Sequence, residues 1–436
     1  MKKTSIAAII VIAIFGVAYY AYNAQKPIAK LADYEAYLTQ THLEKAEATL
    51  KNRTDFWENK LREQPDNFVY QSKVAGQYAA WFKLTGDVSK LYQSDSLLHL
   101  VNERYPNQVG TLQALAANAI TQHQFAQAEK YMRQALSIGE YKFASSLMLT
   151  DVLMERGNFG DANLLLRDVA SATHFDYLIR EMKMLDQEGD LPAAIQQMEN
   201  ALALARSSGN EAALGWALSN LADMYGHDGQ IQKSYNTYLE ALSHNHADLH
   251  SLKGIAWVAF SHDKNTAAAR HILGFLQTVH PVPDYELLLA DIAAFENKPA
   301  EATAHRQSFL QKAGNPAYGN MYKAYLCNLK ASKTGQASEA LAIAEHEIAE
   351  RPHPMSYVLL AWAELQNGDK QSALETLEKH VLNRTHEPKA LYHSGVILLE
   401  NGHKEEAKEY LEEALDASYE LGPVATAEIQ AALRKI

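Results

Sequence analysis

PMSYVLLAWAELQNGDKQSALETLEKHVLNRT, residues 354–385, and PKALYHSGVILLENGHKEEAKEYLEEALDASY, residues 388–419, superimpose at a fixed offset of roughly 34 residues. Gly368 falls on Gly402, Ala373 on Ala407, Leu377 on Leu411 and Tyr357 on Leu391. In each copy an apolar run with helical period leads into Asn367-Gly368 or Asn401-Gly402, and a second amphipathic run follows. The glycine after the first run can take the left-handed conformation that ends a helix. Small residues at Ala361 and Gly395 let two helices approach closely, so each copy reads as a helical hairpin. One hairpin cannot bury its own apolar face, and a period of this length therefore predicts hairpins stacked into a solenoid.

The pattern resembles the tetratricopeptide repeat family, which places a large residue, Leu-Gly and an aromatic in its first helix, and Ala, an aromatic or Leu, and Ala in its second. Leu221-Ala222, Tyr225, Gly229, Tyr238 and Ala241 fit it, as do Leu112, Leu115-Ala116, Ala128, Met132 and Ala135. Weaker copies carry Leu149, Gly157, Ala162 and Leu166, then Leu178, Gly189, Ala194, Met198 and Ala201. Degenerate ones carry Gly254 and Trp257, Leu289-Ala290 and Ala302, and Gly335, Ala340 and Pro352. Units are expected to start near residues 109, 143, 175, 215, 247, 283, 321, 354 and 388, with a further one at 66–106 lengthened around Thr85-Gly86-Asp87. The resemblance implies an all-α fold, a right-handed α-solenoid of stacked hairpins, over residues 66–422. Residues 423–436, opened by Pro423, are expected to form a capping helix, and residues 26–65 two helices broken at Asn52-Arg53-Thr54.

Lys2 and Lys3 precede residues 4–25, which carry no charge. An apolar core from Ile6 to Tyr22 falls within the roughly 17 to 25 residues that cross a bilayer as a helix, and exceeds the core of about 7 to 15 in a cleaved signal peptide. Tyr19, Tyr20 and Tyr22 would sit at the headgroup level. The expectation is a single uncleaved transmembrane anchor in the cytoplasmic membrane with the repeats on its outer side. A secreted or periplasmic chain after cleavage is the alternative.

With 40 Lys plus Arg against 52 Asp plus Glu, the chain has a formal charge of −12 and no basic stripe, which disfavours nucleic acid. The single cysteine, Cys327, excludes internal disulfides and multi-cysteine metal sites. His246 and His250, four apart, are the metal-ligating candidates, but no His-Glu-x-x-His motif accompanies them. Gly314 to Gly319 has the glycine spacing of a phosphate loop, yet Asn320-Met321 stands where Lys-Ser/Thr is required. No cofactor and no catalysis are expected.

In the family the second, fifth and ninth places of the first helix usually face the concave groove that holds a partner segment. The resemblance thus nominates Tyr322, Tyr325 and Leu329, then Met355, Val358 and Trp362, then Lys389, Tyr392 and Val396. The opposing reading packs these side chains between hairpins. The expected function is a membrane-tethered scaffold binding a protein or peptide partner. An envelope complex assembly factor is the alternative, and a metal-dependent enzyme at the histidine cluster a further one.

Overall fold

The computed structural model describes residues 26–332 and 336–436, so the expected anchor at residues 4–25 and the turn residue Gly335 lie outside the described residues. Among the described residues every regular element is helical, and no helix is long and apolar enough to cross a membrane. A short helix α1 (Leu31–Tyr34) leads to a long one, α2 (Gln40–Glu63). Ten hairpins follow: α3 (Phe68–Thr85) with α4 (Val88–Arg104), α5 (Val109–Thr121) with α6 (Phe125–Ile138), α7 (Lys142–Glu155) with α8 (Phe159–Asp168), and α9 (Phe175–Gln187) with α10 (Leu191–Ser208). Then come α11 (Glu211–His227) with α12 (Ile231–His244), α13 (Leu249–Trp257) with α14 (Thr266–Val279), and α15 (Asp284–Phe295) with α16 (Pro299–Ala313). The last three are α17 (Lys323–Ala331) with α18 (Ala337–Glu350), α19 (Pro354–Gln366) with α20 (Lys370–His380), and α21 (Pro388–Glu400) with α22 (Lys404–Asp416); α23 (Ser418–Leu433) closes the chain.

These hairpins match the sequence-expected units within a few residues, because each is specified locally. In the hairpin of α19 and α20, Gly368 takes φ +89°, the Asp369 N–H reaches back to the Glu364 carbonyl at 3.0 Å, and the Asp369 carboxylate caps α20 by accepting from the Ser372 N–H at 3.0 Å. Three copies place His123, Lys264 and Asn297 at the same left-handed turn position, with φ of +54°, +55° and +57°. Their turns are therefore conserved in shape though not in letter. Packing follows the repeat: Leu112, Met132, Leu218 and Leu221 are fully buried between neighbouring hairpins, each burial stabilising by about 1.5–3 kcal/mol. The close approach at Gly395 is real, since a Cβ there would stand 2.6 Å from Leu411 Cγ.

One expectation fails. Residues 40–63 form one helix and do not break at Thr54, whose hydroxyl donates to the Leu50 carbonyl at 2.8 Å and accepts from Trp81 Nε1 at 3.0 Å. A polar triplet that looks like a turn is here a helix face docked on α3. Within α23, Gly422 is non-helical, with φ +79° and ψ 170°, and separates a first turn that starts at Ser418 from the helix that Pro423 opens.

The solenoid winds back on itself. Turns of the earlier hairpins meet inter-hairpin loops far along the chain: Arg156 donates to the Glu350 carbonyl across a separation of 194 residues, and Asn320 Nδ2 to the His123 carbonyl across 197. About six hairpins thus make one winding. The seam continues where Gly86 faces Val282, Gly157 faces Pro352, Gly189 faces His386 and Gly226 faces Tyr419. At its end the N-terminal segment fits in: the Asp263 carboxylate, with a buried side chain, accepts the Ile28 and Ala29 N–H groups at 3.0 and 2.9 Å.

Candidate functional site

The nominated row along α17, α19 and α21 divides between surface and core. Tyr325 is 47% exposed, at the edge of an aromatic cluster in which Tyr322 lies 5.0 Å from Tyr318 and 5.8 Å from Phe309. Burial raises the pKa of Tyr322, as do the Asp284 charge and a hydrogen bond to that carboxylate. Leu329 and Met355 are half-buried, the latter against the core of α19 to α22. Val358 is only 1% exposed and faces no groove. Trp362 stacks on His393 at 4.2 Å and 11°, and Tyr392 donates to Glu428 of α23 at 3.0 Å. Val396 packs half-buried beneath them, while Lys389 stays exposed. Within this row, Val358 and Trp362 follow the opposing reading, in which the side chains pack between hairpins. The two-five-nine rule places a residue on the correct helix, but it does not anticipate that the next hairpin and α23 fill the space.

The histidine pair does not converge. His246 sits in the turn before α13 and packs on Tyr37 and His42 at 5.4 and 4.6 Å between ring centroids. His250, in the first turn of α13, turns the other way and meets Asp223 Oδ2 through Nε2 at 2.7 Å. That hydrogen bond raises the His250 pKa, burial opposing it and the Asp223 charge assisting. The Tyr238 hydroxyl donates to the other oxygen of Asp223. Asp248 separates the two histidines because it serves as N-cap, accepting from the His250 and Ser251 N–H groups. The four-residue spacing therefore does not put both rings on one helix face, and the pair cannot share a metal.

Earlier in the chain the first helices of the hairpins offer an open trough. Trp216 on α11 is 37% exposed and stands edge-on to Phe175 of α9, 6.0 Å away. It divides two clefts of about 850 and about 610 Å³. Phe175, Ile179 and Lys183 form one wall of the larger cleft, and Ala212, Ala213 and Trp216 the other. Arg180 and Lys183, which line this cleft, are both held by Asp151 of α7, at 2.7 and 2.8 Å. A polar, pre-organised base under an exposed tryptophan backed by a half-buried phenylalanine suits retention of an extended segment by one or two apolar side chains. Trp216 holds the second place of the unit starting near residue 215, so the rule applied to the last three units, extended to this one, finds it.

The family model for anaphase-promoting complex, cyclosome, subunit 3 matches residues 333–414. No curated protein matches the chain. Among solved structures, human IFIT1 in a dimer with PPP-AAAA is 14% identical, the match covering 78% of this chain and 84% of that one with a TM-score of 0.45. A tetratricopeptide repeat protein from Parabacteroides merdae is 18% identical over 60% of this chain and 97% of its own, with a TM-score of 0.34. Yeast Tom70 is 14% identical over 93% and 97%, with a TM-score of 0.32. With its ten hairpins of matching period and the family model's match at its C-terminal end, the chain is a tetratricopeptide-like repeat protein.

Proposed function

We propose that this protein is a non-catalytic scaffold that holds a segment of a protein partner on its concave face, anchored at Trp216, and is tethered to the cytoplasmic membrane by residues 4–25 with its hairpins on the outer side. The observation that supports binding is Trp216, exposed between two open clefts with the half-buried Phe175 edge-on to it. Support for the tether is the uncharged run with its terminal tyrosines. Partner exchange within an envelope complex is one form of the same activity.

Trp216→Ala tests the site. Removal of an interface aromatic commonly costs about 2 kcal/mol or more, a roughly thirtyfold loss of affinity. Membrane pulldown should lose the partner recovered by the native chain while the melting temperature stays the same. Val358→Ala, a core change, should instead lower melting. Retained partner binding in Trp216→Ala would remove the trough from the reading. Carbonate extraction tests the tether separately, and a soluble mature chain beginning near Gln25 would replace it with a cleaved signal.

A further inference from the structure

The chain enters the solenoid through a clamp. Beyond its last residue α13 continues as a wider π turn, Val258–His262, which delivers Asp263 to the edge of its hairpin with a side chain only 1% exposed. A carboxylate so buried needs donors. It takes them from the backbone that follows residue 25: the Ile28 N–H donates to Oδ1 at 3.0 Å and the Ala29 N–H to Oδ2 at 2.9 Å. His262 Nδ1 stands 2.7 Å from Oδ1. One residue on, the Lys30 N–H donates to the buried Tyr235 hydroxyl of α12 at 3.1 Å, and that hydroxyl lies 3.1 Å from Asp33 Oδ2. Ala29 and Tyr34 are buried in the same contact, within the core cluster of α11 to α15. Consecutive backbone N–H groups are thus held by two buried side chains of neighbouring hairpins.

This clamp fixes a distance. Only residues 26–28 lie between the uncharged run and its first pinned group, and three residues reach at most about 11 Å. Unpinned, residues 26–39 ahead of α2 would lengthen that reach to about 50 Å. The surface around the clamp suits a headgroup layer. Leu31 is 46% exposed, and Phe295, edge-on to Phe260 at 5.8 Å, is 38% exposed. Lys26 and Lys30 flank the pinned residues, and Lys264 and Lys298 stand exposed on the α13–α14 and α15–α16 turns. Neighbouring acids are engaged, Asp33 by Tyr235 and Glu296 by Arg270 and Lys298 at 2.8 and 2.9 Å. Apolar side chains among lysines set carbon toward the acyl boundary and ammonium groups at the phosphates.

We propose that the α13–α14 and α15–α16 turns are the membrane-apposed face of the solenoid, held on the phospholipid headgroups by the grip of Asp263 and Tyr235 on residues 28–30. This face rests on the tether reading of residues 4–25 and adds to it a fixed pose, in which the hairpins do not swing on a leash. Tyr141, 71% exposed in the loop before α7, lies at the opposite end of the hairpins and about half a winding away, so the same pose keeps it clear of the bilayer.

The full chain, reconstituted in vesicles of phosphatidylethanolamine and phosphatidylglycerol, tests tether and pose separately. Flotation with the vesicles reports the tether. Bimane on Lys298→Cys or Tyr141→Cys reports the pose through quenching by lipids with a nitroxide on the headgroup, and Cys327 is buried and stays unlabelled. The chain should float, and the label at 298 should lose most of its emission while the label at 141 keeps it. In Asp263→Ala flotation should persist and emission at 298 should return. A flexible Gly/Ser insert of about 20 residues between Gln25 and Lys26 leaves the clamp intact, spans roughly 25 Å and should also restore emission, which serves where Asp263→Ala does not fold. A chain that fails to float overturns tether and pose together. Equal quenching at 298 and 141 in a floating chain overturns the pose alone, as does quenching at 298 that survives either change.

Discussion

Gly395→Ala and Gly274→Ala form a signed pair of substitutions. Both glycines lie inside helices, α21 and α14, so both gain roughly 0.5–1 kcal/mol of helix stability from alanine. Nothing stands within 4 Å of a Cβ at Gly274. At Gly395 the new methyl would meet Leu411 Cγ at 2.6 Å and the Ala407 carbonyl oxygen at 3.2 Å. Carbon atoms rest at about 3.5–4.0 Å, so α21 and α22 must part or Leu411 must move by about 1 Å. Leu411 is wholly buried, so any movement must displace its packed neighbours. Overpacking of this kind costs about 1–3 kcal/mol. Because the propensity gain is common to both, the difference between the two variants isolates that cost. Urea unfolding gives the global difference, and native-state hydrogen exchange shows where it falls. Since each hairpin packs chiefly on its neighbours, and the winding around α21 meets α9 and α11 across the seam, protection should drop in α21 and α22 and persist in the hairpins of α3 to α8. Equal stability of the two variants, or a uniform loss of protection, would refute close helix contact at Gly395.

Asp263→Ala removes the acceptor of the Ile28 and Ala29 N–H groups, at about 1–3 kcal/mol for each partly buried donor left unpaired; limited proteolysis should then cut residues 26–39 before any hairpin, and unchanged cleavage would show that the segment is held otherwise. His353 supplies a pH prediction: burial first, and Arg351 second, hold it down at about 3, while its unfolded value is about 6.5. Its contribution is complete above that unfolded value and is lost as pH falls toward 3, by up to about 1.4 kcal/mol per pH unit. His353→Asn keeps a capping side chain for the Met355 N–H and should give a shallower decline of stability on acidification, measured by urea unfolding at several pH values.

The hairpins were legible because everything that specifies one lies within about 34 residues: two periodic runs, a left-handed turn and a cap. Departures arose where a residue answers to something distant. Thr54 looks like turn chemistry until Trp81 is brought to its hydroxyl. Val358 and Trp362 look like groove residues until the following hairpin is packed against them. Nor does any pattern repeating every hairpin reveal which hairpins meet across a separation of 194 residues, so the seam, the Asp263 tie and the Tyr419 contact with Gly226 had no sequence signal.

The turn glycines show why the two kinds of information cannot be separated by letter alone. Gly157 and Gly368 hold the same place in their hairpins, with φ of +68° and +89°. At Gly368 a side chain would meet nothing within 4 Å, so backbone conformation alone asks for glycine, and asparagine would meet that demand. At Gly157 a Cβ would strike the Pro352 carbonyl at 2.5 Å, so the next winding asks for glycine as well. One requirement is local and the other spans the molecule, yet both are written as the same residue. His123, Lys264 and Asn297 mark turns where a left-handed backbone is tolerated with a side chain present, which is how copies that look degenerate keep the hairpin shape.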